Sequence, residues 1–269
     1  MPDLDAYCRR IHYSGPREAT LSTLHAILQG HASSIPFENL DVLLGRPIQL
    51  EPEALEQKLV HDRRGGYCFE QNGFLLLVLQ QLGFAVTPLS ARVRQGRERS
   101  FTPPRTHLFL KVDIDGVGYV ADVGVGSASL SGAIQIDCDD VQPTPHEPRR
   151  LLREDGRRFH QIKLGDDWTD VYEFTGEEMP FIDRQVANWW TSTNPGSKFR
   201  QNLMCARTGP EGTRFSILND EFTHRRGAVI LAQRRIGTAE DLLEILDTHF
   251  GMHFPPGTRF EWLGFSWPA

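Results

Sequence analysis

The stretch RRGGYCFEQNG, residues 63–73, sets Cys68 two residues after a glycine pair and at the head of an apolar helical run. Gly65-Gly66 allows a tight turn with exposed backbone. Cys68 would then lie in the first helical turn, where free N–H groups and the positive end of the dipole stabilise a thiolate. The same surroundings suit a buried packing cysteine about as well, so a nucleophile needs support from elsewhere. It needs a base, and the base needs a group that orients it. THLFLKVDIDGVGYVADVGVG, residues 106–126, supplies both. Asp115-Gly116 between two strand-like runs is a strong hairpin signal. With a two-residue loop there, Ile114 faces Val117, and counting back places Phe109 opposite Asp122 and His107 opposite Gly124. His107 and Asp122 become diagonal neighbours on one face, roughly 7–8 Å apart at Cα. An aspartate inside an apolar run is costly unless paired. Cysteine, histidine and carboxylate in that order fit a thiolate–imidazolium pair whose ring is held by the acid. DVGVGS (122–127) follows directly; its glycines let a carbonyl or phosphate approach the backbone, although a plain β-turn explains them equally well.

The elements that must position these residues fall into three textures. Residues 1–84 read as helices and would carry the nucleophile. Leu21, Leu24, Ile27 and Leu28 recur at helical spacing up to Gly30. EPEALEQKLV holds Pro52 in a first-turn position. CFEQNGFLLLVLQQLGF is apolar all round from Phe74 to Leu79 and ends at Gly83, the pattern of a helix buried among others. Residues 85–185 switch to strand period and would carry the histidine and aspartate; FHQIKLGDDWTDVYEFT repeats the hairpin pattern around Gly165-Asp166-Asp167. Between the hairpins VQPTPHEPRR is too rich in proline for a central strand. Residues 186–269 are mixed, with strand candidates TRFSILND and GAVILAQRRI. TAEDLLEILDTHFG reads as a helix with Thr238 as N-cap, Asp241 in the capping-box position and Gly251 after its end.

The 269 residues are 39% apolar and 24% charged, with a formal charge of −6. These values describe an ordinary soluble protein with no global basic field for nucleic acid or anionic membrane. No stretch approaches the ~20 apolar residues of a membrane span, and MPDLDAYCRRIHY lacks a signal-peptide core. Cysteines 8, 68, 138 and 205 are scattered without a C-x-x-C pair, which suits a reducing cytoplasm and argues against structural zinc or any other metal site. Cys8, Cys138 and Cys205 lack a glycine-pair setting and read as inert. Histidines 31, 61, 146, 160, 224, 249 and 253 read as packing or surface residues. The arginines of ARVRQGRERS (92, 94, 97, 99) could meet phosphates but read first as a solvated loop face.

RGGYCFE (64–70), THLFLKV (106–112) and ADVGVGS (121–127), preceded by IPFENLDVLLGRPI (35–48), resemble the arylamine N-acetyltransferase family, in the same order and over most of the chain. The resemblance implies an α+β fold with an N-terminal helical bundle, a central antiparallel β-barrel, a C-terminal α/β lid and a cysteine-protease-like catalytic core. It implies Cys68, His107 and Asp122 as a catalytic triad. The implied activity is acetyl transfer from acetyl-CoA, a co-substrate rather than a resident cofactor, to aromatic amines, hydroxylamines and hydrazines. Phe37 then resembles an acceptor-pocket wall, a role it shares equally with that of a core residue. Thr106, Gly124 and Gly126 resemble positions lining the substrate and CoA cleft, and Phe199 is a looser match to a pocket aromatic. Val125 stands where many relatives carry an aromatic, a departure expected to widen the acceptor pocket. Two rivals remain at this level. A papain- or transglutaminase-like hydrolase shares the Cys, His, carboxylate order, but Phe69 replaces its usual tryptophan. A binding module on the same scaffold would have little reason to keep all three groups.

Overall fold

Apolar residues at helical spacing, interrupted by proline and glycine, build the first part of the chain. The computed structural model describes residues 1–262, 264, 265 and 267. It opens with α1 (Leu4–Arg10), α2 (Leu21–Ser34), a short strand β1 (Phe37–Glu38) and α3 (Leu40–Leu43). α4 (Pro52–Glu56), with Pro52 in its first turn, runs into a π-helical turn, Gln57–His61, and α5 (Cys68–Gln81) follows. α2 continues past Gly30, where the spacing suggested a stop. A Cβ at Gly30 would lie 2.7 Å from the carbonyl oxygen of Ile11, so this glycine serves the close approach of α2 to the end of α1. α5 is buried along almost its whole length and packs across two strands of the next part, β2 (Ala85–Val93) and β3 (His107–Ile114). Each large apolar side chain it buries contributes about 1.5–3 kcal/mol.

β2 and β3 belong to a seven-stranded antiparallel sheet with β4 (Val117–Ala121), β5 (Ile134–Gln135), β6 (Arg149–Glu154), β7 (Arg157–Leu164) and β8 (Asp167–Phe174). The strand order is β5-β4-β3-β2-β8-β7-β6. Asp115 and Gly116 both take positive φ, 50° and 79°, the conformation a two-residue type I′ hairpin requires, and Ile114 pairs with Val117 as the count from the turn demands. The edges of the sheet meet through one residue. Gln142 exchanges two backbone hydrogen bonds with Arg149 of β6, at 2.7 and 2.8 Å. Its side-chain amide exchanges two more with the backbone of Gln135 in β5, at 2.7 and 2.9 Å. The proline-rich connection therefore closes the barrel without becoming a strand.

The third part contains α6 (Phe181–Thr193), α7 (Lys198–Gln201), β9 (Met204–Thr208), β10 (Thr213–Leu218), β11 (Glu221–Arg226), β12 (Val229–Arg235) and α8 (Ala239–Phe250). α6 runs across the texture change expected at residue 185. The strands β9–β12 form a second antiparallel sheet that β1 completes, Phe37 pairing with Ala206. IPFENL thus reaches from the helical part into the last sheet. α8 ends at Gly251 with φ 66°. Its Thr238 Oγ1 accepts the Asp241 N–H at 3.1 Å, but the Asp241 carboxylate, one carbon shorter than glutamate, takes the N–H of Gly237 rather than that of Thr238.

Candidate active site

α5 begins at Cys68, and the glycine pair before it is required by space. A Cβ at Gly65 would fall 1.9 Å from the Pro36 carbonyl oxygen, and one at Gly66 would meet the Glu70 carboxyl at 2.7 Å. Glu70, at the third helical position, reaches back to accept the Tyr67 N–H at 2.9 Å and is paired with Lys58 at 2.6 Å. Burial raises the Glu70 carboxyl to about 7, although Lys58 opposes that. The helix start is therefore fixed by backbone crowding and by one buried acid. Cys68 Sγ lies 3.7 Å from the carbonyl oxygen of Thr106, the residue immediately before β3.

The hairpin brings His107 and Asp122 together in the register counted from its turn. His107 begins β3 and Asp122 follows the last residue of β4, so both sit where the ladder opens. His107 Nε2 donates to Asp122 Oδ2 at 2.8 Å. That leaves Nδ1 without a claim from Asp122, and the nearby Cys68 favours the charged imidazole. Burial alone would lower the His107 pKa, but the Asp122 carboxylate and the Cys68 side chain outweigh it and raise the group to about 10. Asp122 is fully buried and has its remaining oxygen satisfied twice: Oδ1 accepts from Asn72 Nδ2 at 2.8 Å and from Gly124 N at 2.9 Å.

Asn72 went unnoticed in the sequence. It stands one helical turn after Cys68, on the same face of α5. Besides holding Asp122 it donates to the Leu108 carbonyl at 2.7 Å and accepts the Val123 N–H at 3.0 Å. One side chain thus ties the cysteine helix to both strands of the hairpin. The only signal for it is a polar residue at i+4 from the cysteine in an otherwise apolar helix. Tyr172 of β8 was also missed; its ring centroid is 5.0 Å from that of His107, and its hydroxyl is buried beside the site.

Cys68 and His107 open into a cleft of about 820 Å³. Phe37, Thr106, Gly124, Val125, Gly126 and Phe199 all line it, together with Trp190 of α6. Phe37 is nonetheless 8% exposed and packs in the core, with its ring centroid 6.2 Å from that of Phe199, so it is a core residue that also borders the cleft. Gly124 is indispensable for space: a Cβ there would lie 2.7 Å from Cys68 Cα and 2.7 Å from Asn72 Nδ2. The 3₁₀ turn Gly126–Ala128 follows, with Gly126 at φ 70°.

The arginines of ARVRQGRERS are not a solvated face. Arg94 is buried, donates to Glu173 at 3.0 and 2.6 Å, and binds the carbonyls of Glu98 and Phe101 at 2.9 and 2.6 Å. Arg99 pairs with Asp170 at 2.7 Å, while Arg92 and Arg97 line the cleft. Alternation of charge and polarity misled because the partners lie on β8, far along the chain. Burial raises the Cys8 thiol and pushes that of Cys205, which also borders the cleft, well above its ordinary value. His31 is a packing residue between Tyr7 Oη, 2.9 Å from Nδ1, and Gln71 Oε1, 2.6 Å from Nε2. Among the described residues no group of three or more His, Cys, Asp or Glu side chains could hold a metal ion, and no helix is long and apolar enough to cross a membrane.

The family profile described as N-acetyltransferase matches residues 20–257. The chain belongs to the arylamine N-acetyltransferase family. It is 39% identical over 251 residues to the arylamine N-acetyltransferase of Escherichia coli (strain K12), covering 93% of this chain and 89% of that protein. It is 40% identical over 255 residues to the Mycolicibacterium smegmatis enzyme of the same name, covering 93% and 92%. The solved structure of Mycobacterium marinum arylamine N-acetyltransferase in complex with CoA superposes with a TM-score of 0.89 at 34% identity, over 93% of each chain. The α+β class read from the sequence, with its bundle, barrel and cysteine-protease-like core, is the fold of this family. Membership decides against the peptide-hydrolase rival, for which Phe69 had already been the wrong residue.

Proposed function

We propose that this protein transfers the acetyl group of acetyl-CoA to aromatic amines, hydroxylamines and hydrazines in two steps through an acetyl-Cys68 intermediate. The observation that carries the reading is a buried Cys68–His107–Asp122 relay at the base of an 820 Å³ cleft, in a chain of this family. The CoA complex of the Mycobacterium marinum relative supports the donor. A Salmonella typhimurium relative, 36% identical over 249 residues and named arylamine N-acetyltransferase / N-hydroxyarylamine O-acetyltransferase, supports hydroxylamines among the acceptors. The reaction would take place in the cytoplasm, where acetyl-CoA is at hand and Cys68 stays reduced.

This reading gives each side chain a role. His107, held protonated by Asp122, pairs with the Cys68 thiolate at the positive end of the α5 dipole. Sγ attacks the thioester carbonyl and the CoA thiolate leaves, taking the imidazolium proton. Acetylation removes the Cys68 charge that helped to raise the His107 pKa, so the proton is released more readily at the step that needs it. The amine then attacks the acetyl carbon, neutral His107 takes its proton, and Cys68 departs as thiolate. Phe37 and Phe199 would bracket the aromatic ring of the acceptor. Thr106, Gly124 and Gly126 would line the path of the donor, and Val125 would leave room beside the acceptor.

The test is the intact mass of the protein after mixing with acetyl-CoA alone, beside Cys68→Ala, followed by an aryl hydrazine. A single acetyl adduct that requires Cys68 and disappears with the hydrazine is expected. An adduct that survives Cys68→Ala would refute the assignment.

A further inference from the structure

Behind the turn that follows Asp122 lies a buried cluster of one carboxylate and three guanidinium groups. Glu147, in the connection before β6, accepts Arg214 Nε at 2.8 Å, Arg214 Nη2 at 2.7 Å, Arg225 Nη1 at 3.1 Å and Arg149 Nη2 at 3.4 Å. Arg149 comes from β6 of the barrel, Arg214 and Arg225 from β10 and β11 of the second sheet. Glu147, Arg149 and Arg214 are all 2% exposed or less.

One carboxylate cannot neutralise three guanidiniums, and apart from the Gly227 carbonyl, which Arg225 Nη1 reaches at 2.6 Å, the surplus is met by dipoles of one short segment. Arg225 Nη2 donates to the Ser127 carbonyl at 3.1 Å, Arg149 Nη1 to that of Ala128 at 2.9 Å, and Arg214 Nη2 to that of Ser129 at 3.0 Å. Three successive carbonyls are each held by a guanidinium, and Ser129 also takes Arg149 Nη2 at 3.5 Å. Such charge-assisted bonds are short and strong, and the planar fork fixes their direction. As a source of stability the arrangement is poor, because buried charges cost several kcal/mol each in desolvation and an apolar packing of the same volume often does as well. What it does supply is a defined position for residues 127–129. The same turn presents Gly124, Val125, Gly126 and Ser127 to the cleft, with Gly124 packed against Cys68. A shift of a few tenths of an ångström in the turn would be felt at the wall facing the nucleophile.

We propose that Glu147, Arg149, Arg214 and Arg225 form a positioning clamp that holds the Gly126–Ser129 turn against Cys68 and thereby fits the cleft to the acetyl donor. The inference rests on the function proposed above. None of the four residues touches the reacting atoms, and the clamp joins the barrel to the second sheet, so the seating of that sheet also shapes the cleft. The Glu147 carboxyl is drawn down to about 2 against its burial, chiefly by Arg214, which keeps the clamp ionised across the neutral range.

Arg225 is the least enclosed member, its side chain 17% exposed, and is the one to replace. In the full-length protein, Arg225→Met and Arg225→Lys are compared with wild type for the rate of Cys68 acetylation by acetyl-CoA. The same proteins are tested with p-nitrophenyl acetate, a donor without CoA, and with iodoacetamide. Loss of the Ser127 contact is expected to slow acetylation by acetyl-CoA roughly 5- to 20-fold in Arg225→Met, the other two rates staying within about twofold. Arg225→Lys, which keeps the charge and gives up the fork, is expected to recover part of the loss, and it carries the comparison alone if the methionine variant does not fold. An unchanged rate with acetyl-CoA in both variants would overturn the proposal, as would an equal fall in all three rates. Wild-type protein that takes no acetyl group from acetyl-CoA would overturn the function as well as the clamp.

Discussion

Asn72 is the sharpest place to test how the relay is assembled. Truncation to alanine removes three hydrogen bonds, to Leu108 O at 2.7 Å, Asp122 Oδ1 at 2.8 Å and Val123 N at 3.0 Å. Asp122 Oδ1 keeps the Gly124 N–H, but the Leu108 carbonyl and the Val123 N–H lose their partner in a dry interior. Each orphaned buried group costs about 1–3 kcal/mol, so Asn72→Ala should destabilise the fold by roughly 3–5 kcal/mol. Asn72→Asp is the discriminating variant because it keeps shape and volume. It still accepts the Val123 N–H, but sets a second carboxyl within 2.8 Å of Asp122 in a buried site. Two such groups cannot both ionise cheaply, so the new carboxyl should stay protonated at neutral pH and donate a single hydrogen bond. As pH rises it ionises, repels Asp122 and releases the histidine. Acetylation of Cys68 by acetyl-CoA, followed by mass from pH 6 to 9, should therefore fall with rising pH in Asn72→Asp. In Asn72→Ala the loss should be the same at every pH. An Asn72→Asp profile parallel to wild type would show that Asn72 does not share the Asp122 oxygen in the working enzyme.

Three further outcomes follow from the same geometry. Gly124→Ala drives a methyl group to 2.7 Å from Cys68 Cα, a backbone atom that cannot swing aside, and acetylation should fall at least roughly 100-fold, the scale of a misplaced reacting group, while circular dichroism stays native. Val125→Phe should lower kcat/KM for two-ring arylamines relative to single-ring ones in a competition assay; an unchanged ranking would refute the pocket argument. The His107 pKa is raised to about 10 in the fold from about 6.5 in the unfolded chain, so its stabilising contribution is complete below pH ~6.5 and is lost as pH climbs through about 10. The Tm gap between wild type and His107→Gln should accordingly shrink between pH 7 and pH 10, and a gap that widened would contradict the sign.

Much of the site could be read from local rules because the chain repeats them locally. Asp115-Gly116 fixes the hairpin register, the register puts His107 and Asp122 on one face, and Gly65-Gly66 announces the start of α5. Where partners are distant the signal vanishes. Arg94 looked solvated because nothing near it betrays Glu173 on β8, and β1 was invisible because a two-residue strand needs β9 to exist. The same Asp-Gly signal at residues 155–156 turns β6 into β7, with φ of 49° and 74°, yet its arginine-rich flanks hid β6. The barrel core behind those strands is carried by Leu151 and Ile162, while Phe159 lies under the guanidiniums of Arg94, Arg99 and Arg157.

Asn72 shows why a triad named from motifs is still an incomplete site. Three motifs name the groups proposed to react, but the distance between Cys68 on α5 and Asp122 beyond β4 is set by an amide that belongs to neither strand. Its two Nδ2 protons and one carbonyl are each used once, on Asp122, Leu108 and Val123. No other residue of its size offers two donors and one acceptor in that plane: leucine offers none, aspartate loses the donors. The helix and the hairpin could otherwise slide against one another on an apolar interface, which is non-directional. The fixed geometry of the relay is therefore an outcome of one polar side chain inside an apolar contact.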